Sequence, residues 1–317
     1  MAVIDLKYTA GKTASAFMRC MAFFRLILGP IGSGKSVVCV MEIMRQCAQM
    51  PAGKDGIRRS RWAVIRNTRQ QLKDTTLKTW LDWIKPGLFG RWKESDMLFE
   101  LKFNDIHAEI LFRPLDSPED VQRVLSLELT GAWINESREI PREIVEAVMG
   151  RIGRYPKRED VPEYWCGLIA DTNPPEVDSD WYKIAEGLPL EEDNANSVME
   201  CVTFKQPSGL SDDAENKANL RPNYYEDLAR GKTKAWVDTY IHGLYSPSQS
   251  GKPVYANTFR QDRHVSLTPL KIDHMLPVVI GFDTGLTPAA TFKQMGLDGR
   301  VRVLREEIGR ASCRERV

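Results

Sequence analysis

The sequence lacks the features of a secreted or membrane-embedded chain. Its six cysteines include no C-x-x-C pair, which favours reduced thiols over a disulfide framework or a zinc site. No apolar run approaches the roughly 20 residues that span a bilayer, and the N-terminus lacks the order of a signal peptide. We therefore expect a chain that stays in the compartment where it is made, with no membrane partner.

An excess of charge of either sign is lacking as well. Lys and Arg together number 44 against 43 Asp and Glu, so the formal net charge is +1. This balance excludes a global basic field, and a nucleic-acid partner has to be met by a local patch. One basic segment, residues 54–61 with Lys54, Arg58, Arg59 and Arg61, is interpreted as a loop that either contacts a DNA backbone or is simply solvated.

Apolar residues, by contrast, are plentiful. The chain has 317 residues, 42% of them hydrophobic, which suffices for one large domain and part of another. Their periodicity predicts buried strands at 21–28, 62–67, 129–136 and 164–171, and helices at 37–50 and 69–85. MLFELKF and HAEILFRP predict a hairpin, and SPEDVQRVLSLE opens with a Ser-x-x-Asp cap signature. Helical patterns from about 210 to 245 predict a polar cap, whose aromatic residues favour helix packing over base stacking.

The strongest local motif is GPIGSGKS, which follows a predicted strand and precedes a predicted helix. Its residues Gly29, Pro30, Ile31, Gly32, Ser33, Gly34, Lys35 and Ser36 match the pattern G-x-x-x-x-G-K-[ST] of a phosphate-binding loop. Glycines let the backbone amides point inward, Lys35 reaches the outer phosphates of ATP, and Ser36 ligates Mg²⁺. Gly11-Lys12-Thr13 has the same ending but Leu6 where the first glycine belongs, so we interpret it as an ordinary loop.

ATP hydrolysis also needs a carboxylate that orients water and a group that steadies the metal. The stretch GAWINES places Glu136 at a strand end, where it would polarise the attacking water. Its neighbour Asn135 could accept a hydrogen bond from a magnesium-bound water, but it brings no charge. Asp171, at the end of the next predicted strand, could supply the missing charge. By themselves, an Asn-Glu pair and an Asp at such places also fit ordinary turns or helix caps.

Several motifs together resemble one protein family. GPIGSGKS, VIRNT (64–68), ELTGAWINES (128–137), GRIGRYP (150–156), ADTNPP (170–175) and GFDTGLTPAA (281–290) occur in the order seen in the large terminase subunit of tailed bacteriophages. The resemblance implies an α/β fold, a RecA-like (ASCE-type) P-loop ATPase with a mainly parallel sheet flanked by helices, followed by the first strands of an RNase H-like nuclease domain.

The same resemblance implies roles for individual residues. Residues 29–36 would be the Walker A loop, Glu136 the catalytic glutamate of Walker B, and Thr172-Asn173 the motif that couples ATP state to DNA movement. Asn135 departs from the usual Asp, which puts metal affinity in doubt. Asp283 would be the first metal-binding acid of a nuclease that uses two divalent metal ions.

The implied cofactors are ATP and Mg²⁺. The implied partners are double-stranded viral DNA, the portal and procapsid, a small terminase subunit, and further copies of this chain in a ring on the portal. The implied location is the cytoplasm of a host bacterium. Two other functions stay open, a P-loop helicase or other DNA translocase and a non-hydrolysing nucleotide-binding assembly protein, for which Asn135 is the best argument.

Composition and motifs suggest domain boundaries. We expect an ATPase domain at 1–245, a linker at 246–275 and the opening strands of a nuclease domain at 276–307. Residues 308–317, IGRASCRERV, match the in-frame translation of a widely used sequencing adapter, although a natural basic tail is the alternative. The remaining nuclease acids would then lie beyond residue 307, and this chain would be competent for ATP hydrolysis at most.

Arginines after the GAWINES stretch are candidates for a finger that completes a neighbouring subunit's ATPase site. They are Arg138, Arg151 and Arg154. Arg66, at the end of the second strand, could instead sense phosphate, or it could form a plain salt bridge.

Overall fold

The computed structural model describes residues 7–115, 121–191, 194–246, 261–266, 268–283 and 289–308. The chain divides into two compact units, Met1–Ser250 and Gly251–Val317. The boundary falls inside the predicted linker, of which residues 247–260 and 267 lie outside the described residues. Among the helices that are described, none is long and apolar enough to cross a membrane.

The first unit contains one eight-stranded sheet in the order β3-β4-β5-β2-β6-β7-β1-β8. Its strands are β1 (Phe24–Leu28), β2 (Arg58–Arg66), β3 (Gly90–Lys93), β4 (Leu98–Phe103), β5 (Ile106–Pro114), β6 (Gly131–Asn135), β7 (Gly167–Thr172) and β8 (Val202–Lys205). Strands β3 and β4 are antiparallel to their neighbours, and the other pairs are parallel. The predicted mainly parallel α/β sheet is therefore confirmed.

Helices lie between these strands, as parallel connections require. They are α1 (Lys12–Arg19), α2 (Lys35–Gln49), α3 (Arg69–Gln71), α4 (Lys78–Trp83), α5 (Val121–Leu125), α6 (Arg142–Met149), α7 (Asp180–Glu186), α8 (Tyr224–Ala229) and α9 (Lys234–Tyr240), while α10 (Gln261–His264) belongs to the second unit. A π-helix, Leu72–Leu77, joins α3 to α4.

Apolar side chains from both faces of the sheet form two core layers. On one face, Val38 and Ile43 of α2 pack with Trp62 and Trp133 of the sheet. On the other face, strand residues such as Leu26 and Ile134 pack against Ile144 and Val145 of α6. Every residue of β1, β6 and β7 is buried, because these central strands are covered on both sides. The carboxyl ends of these three strands are therefore held rigidly side by side.

Several local predictions need correction. Gly11 is not in an ordinary loop but directly precedes α1. The Glu215 carboxylate stabilises the first turn of this helix, because it accepts a hydrogen bond from the Thr13 backbone N–H. The basic segment 54–61 is a loop only in part, since β2 already begins at Arg58. Residues 212–220 form only a short 3₁₀ turn, Lys217–Asn219, and not a helix.

Other local predictions are confirmed or fall outside the described residues. The hairpin is present as β4 and β5, with Leu98 opposite Leu111. The Ser-x-x-Asp cap signature falls on residues 117–120, which lie outside the described residues. Strands β3 and β8 and helices α1, α6, α7 and α10 are additional elements that no prediction covered.

The second unit contains three antiparallel strands in the order β11-β10-β9. They are β9 (Val279–Asp283), β10 (Ala289–Met295) and β11 (Val301–Ile308). Asp283 ends β9 opposite Ala289 and is exposed. Residues 284–288 of the GFDTGLTPAA motif and residues 309–317 of the tail lie outside the described residues.

Candidate functional site

The phosphate-binding motif forms the turn between β1 and α2. Gly32 and Gly34 adopt φ values of 76° and 83°, which only glycine reaches at little cost. Helix α2 then begins at Lys35, so its first amide groups and its dipole face the loop. Backbone amides at a helix start suit an anion, and phosphate binding by this loop stays a prediction.

The Lys35 side chain lies against this loop. Its Nζ donates to the backbone oxygens of Gly29, at 2.9 Å, and Pro30, at 2.6 Å. Burial lowers the pKa of Lys35, while the carboxylates of Glu136 and Asp171 act in the opposite direction. The ammonium is thus held close to two acids at the mouth of the loop.

The segment after β8 holds the loop from outside, which the sequence did not indicate. The Tyr225 hydroxyl donates to the Ile31 carbonyl at 2.9 Å, and the Ile31 N–H donates to the Tyr240 carbonyl at 2.9 Å. Asn216 Nδ2 donates to the Gly32 carbonyl at 2.7 Å. These three contacts fix the backbone of the phosphate-binding loop from the segment that follows β8.

Glu136 lies directly after β6 at the same edge of the sheet. Its φ of 49° is uncommon for a residue other than glycine and marks a strained turn. Thr172 Oγ1 lies 3.5 Å from Glu136 Oε2, and Asn173 Nδ2 donates to the Gly29 carbonyl at 2.8 Å. The pair Thr172-Asn173 therefore contacts both Glu136 and the phosphate-binding loop, and its coupling role stays a prediction.

Asp171 lies inside β7 and does not cap a helix, so the capping interpretation is wrong. Strand β7 separates β1 from β6, and Asp171 pairs with Ile27 on one side and Asn135 on the other. The Asp171 side chain is fully buried. Its carboxylate accepts from Ser36 Oγ at 2.9 Å and from Trp133 Nε1 at 2.7 Å.

Asn135 turns its amide nitrogen, and not the expected amide oxygen, toward Ser36 and Asp171. Thr76 Oγ1 donates to Asn135 Oδ1 at 2.6 Å. Asn135 Nδ2 then lies 3.0 and 3.1 Å from the two carboxylate oxygens of Asp171 and 3.2 Å from Ser36 Oγ. A flipped amide would turn its oxygen toward a carboxylate, so the network assigns the orientation. Asn135 therefore presents a donor to the site, and the expected acceptor role toward a magnesium-bound water is not supported.

The oxygen atoms of Ser36 and Asp171 fit a magnesium ion. Mg²⁺ prefers oxygen ligands and is commonly bound through one or two carboxylates together with substrate phosphates and water. Burial and the nearby Glu136 raise the pKa of Asp171, while donors from Asn135 and Trp133 lower it. Among the described residues no group of three or more His, Cys, Asp or Glu side chains could hold a metal by itself. A metal here would need nucleotide phosphates to complete its ligands.

The candidate arginines occupy different places. Arg138 Nη2 donates to the Tyr240 hydroxyl at 2.8 Å, and its charge acts on Lys35 of its own chain. Arg151 Nη1 donates to the Leu125 carbonyl at 2.9 Å. The Arg151 carbonyl accepts from the backbone N–H of Leu129, which lies just before the first residue of β6. Arg154 is exposed nearby. Arg151 and Arg154 thus lie at the opposite edge of the sheet from Glu136, and only Arg138 lies beside the phosphate-binding loop.

Arg66 is buried beside the end of β6. Its Nη1 lies 3.4 Å from the Asn135 carbonyl, and its Nη2 forms an ion pair with Glu139 at 3.6 Å. This geometry matches the salt-bridge interpretation.

The basic segment is neutralised by acids. Arg58 pairs with Asp105, Arg59 with Asp55, and Arg61 with Glu109. Arg61 also lies over the Tyr155 ring, 4.2 Å from its centroid. A cluster that is already paired offers less net charge to a DNA backbone than the sequence suggested.

Comparison with known proteins identifies the fold. No protein-family model matches the sequence, and no curated protein matches it. The large terminase of a thermophilic bacteriophage superposes with a TM-score of 0.58 at 14% identity, covering 95% of this chain and 68% of that one. The same protein in complex with ADP gives 0.55 at 15% identity, covering 94% and 68%. The large terminase ATPase domain of Thermus phage P74-26 gives 0.51 at 13% identity, covering 76% and 96%. The chain therefore has the fold of phage large terminases, including that of their ATPase domain.

Proposed function

We propose that this chain is a P-loop ATPase and the motor subunit that moves viral double-stranded DNA into a procapsid. The observation that carries the proposal is the convergence of Lys35, Ser36 and Glu136 at one edge of the sheet, with Thr172-Asn173 between them. An ATPase needs a phosphate cradle with a water-orienting acid beside it, whereas a simple binding module needs only the cradle.

Each group has a distinct task in this proposal. The amides of residues 32–36 and the Lys35 ammonium bind the phosphates of ATP, and Ser36 holds Mg²⁺, which neutralises phosphate charge when bound. Glu136 polarises the attacking water, and Thr172 Oγ1 lies 3.5 Å from its carboxylate. Arg138 acts in its own subunit, while a finger role in a neighbouring subunit stays a prediction for Arg151 and Arg154. The complexes of the thermophilic phage's large terminase with ADP and with ATP-γ-S support nucleotide binding.

The wider assignment rests on the fold and the ordered motifs. It includes the portal, the procapsid, a small terminase subunit, a ring of identical subunits and the cytoplasm of a host bacterium. The second unit is assigned to the start of an RNase H-like nuclease, in which Asp283 would be the first ligand of the divalent metals. We keep the predicted divisions at 245, 275 and 307 as part of this proposal.

An ATPase assay separates the three functions. Phosphate release is measured with Mg²⁺, then with added DNA, and then with DNA and procapsids that carry the portal. A packaging motor is expected to hydrolyse ATP fastest with DNA and procapsids together. Full stimulation by DNA alone, with strand separation, indicates a helicase, and nucleotide binding without turnover indicates a switch protein; either result overturns the proposal. Lys35→Ala is the control for contaminating ATPases.

A further inference from the structure

The carboxylate that the family pattern places on β6 has a counterpart on the neighbouring strand. Residue 135 is Asn, and its register partner on β7 is Asp171. We propose that Asp171 supplies the negative charge of the magnesium site and that Asn135 is the positioning residue that holds it there. The inference rests on the proposed ATPase function, because it concerns the metal that accompanies the nucleotide.

The position of Asp171 is the first support. Strand β7 is the direct neighbour of β1, the strand that leads into the phosphate-binding loop, whereas β6 is one strand further away. The Asp171 carboxylate accepts a hydrogen bond from Ser36 Oγ, the predicted magnesium ligand, at 2.9 Å. Among the described residues no other carboxylate is hydrogen-bonded to Ser36. A cation held by Ser36 would therefore lie beside the Asp171 carboxylate.

The charge balance of Asp171 is the second support. It is fully buried, and its hydrogen-bond partners are the neutral donors of Ser36, Asn135 and Trp133. No described ion pair includes it. The Lys35 ammonium lowers the pKa of Asp171 without a hydrogen bond to it. A buried carboxylate with no cation in direct contact is costly. Folds tolerate such a cost mainly at functional sites, and a divalent cation removes it.

The orientation of Asn135 is the third support. Its amide nitrogen spans both oxygens of Asp171, and Thr76 fixes that orientation from the other side. An Asp at 135 in the same conformation would put a carboxylate oxygen about 3 Å from those of Asp171, where two such groups cannot both ionise. The Asn therefore follows from the presence of Asp171, and the pair carries one charge, as a single acid on β6 would.

The test titrates the protein with ADP in a calorimeter, once with Mg²⁺ and once with a chelator. The ratio of the two ADP affinities is the gain that Mg²⁺ brings. For Asp171→Asn we expect this gain to fall by about 10–100-fold, while the affinity without metal stays unchanged. The matched control is Asp178→Asn, the same exchange at an exposed position after β7, which keeps the wild-type gain. An unchanged gain in Asp171→Asn overturns the inference. Wild-type protein that binds no ADP in either condition overturns the proposed function instead.

The role of Asn135 is tested by exchanging the pair. In Asn135→Asp/Asp171→Asn the acid and the amide swap strands, so part of the lost gain should return relative to Asp171→Asn alone. No recovery contradicts the assignment of one shared negative charge to the pair.

A measurement on the unmodified chain covers the case in which Asp171→Asn does not fold. Mn²⁺ replaces Mg²⁺ in the ADP complex, and the aspartate carboxyl carbons are labelled with ¹³C. Electron–nuclear double resonance should detect a labelled carbon near the Mn²⁺. The signal cannot come from Glu136, because only aspartates carry the label. Absence of this coupling overturns the inference.

Discussion

The substitution Thr76→Val tests whether the site depends on a contact made far away in sequence. Thr76 is 1% exposed and lies in the π-helix 72–77, and its hydroxyl donates to Asn135 Oδ1 at 2.6 Å. Valine keeps the shape but removes the donor, which leaves a buried amide oxygen without a partner. Such an oxygen costs about 1–3 kcal/mol of unfolding free energy. For a domain of this size, each kcal/mol corresponds to a fall of roughly 2–4 °C in Tm.

The assay is thermal unfolding followed by circular dichroism, with Thr75→Val as the matched control. Thr75 precedes Thr76 in the same π-helix, but it is exposed, and its hydroxyl donates to the Gln71 carbonyl at 2.7 Å. A surface change of this kind is expected within about 0.5 kcal/mol of the wild type. Thr76→Val should also weaken the gain in ADP affinity on adding Mg²⁺, because the Asn135 amide is then free to turn. Equal Tm values for the two variants would refute the reasoning.

Further predictions concern the loop, the arginines and the basic segment. Burial raises the pKa of Tyr225 to about 12, so the stabilisation linked to its proton is complete below pH 10 and is lost as the pH rises toward 12. The unfolding free energy of Tyr225→Phe should be lower by about 0.5–1.5 kcal/mol at pH 8, and the deficit should shrink above pH 10; a constant deficit speaks against it. Mixing Arg138→Ala with Lys35→Ala subunits should restore no ATPase activity, because Arg138 serves its own site, and recovery would show a role across subunits. Arg59→Ala should change the slope of log binding constant against log salt concentration for DNA by less than the value of about 0.9 that one phosphate contact contributes. The reason is that Arg59 is paired with Asp55. A change of the full value of about 0.9 would contradict this.

The sequence was sufficient where the site is built from adjacent residues. The phosphate-binding loop depends on eight consecutive residues and a helix start, and both are where the motif predicts them. The sequence could also indicate Glu136, because a buried strand ends there. The place of Asp171 beside Ser36 was only one possibility, because it depends on β7 lying between β1 and β6, and strand order is not a local property.

The remaining features depend on partners far away in the chain. Asn135 takes its orientation from Thr76, which is 59 residues away and belongs to a π-helix that no local pattern marks. The basic segment becomes part of a strand because β5 pairs with it and supplies Glu109. The turn at Gly11 becomes a helix start because Glu215, about two hundred residues later, accepts from its first amides.

The proposal that this chain hydrolyses ATP is tested most directly by Glu136→Gln. Gln keeps the size of the side chain but cannot act as a base, so the rate of phosphate release from bound ATP should fall by about 10²–10⁴-fold. ATP affinity should stay within a few-fold of the wild type, because the phosphate-binding loop is unchanged. A Glu136→Gln protein that binds ATP and hydrolyses it at the wild-type rate would contradict the account.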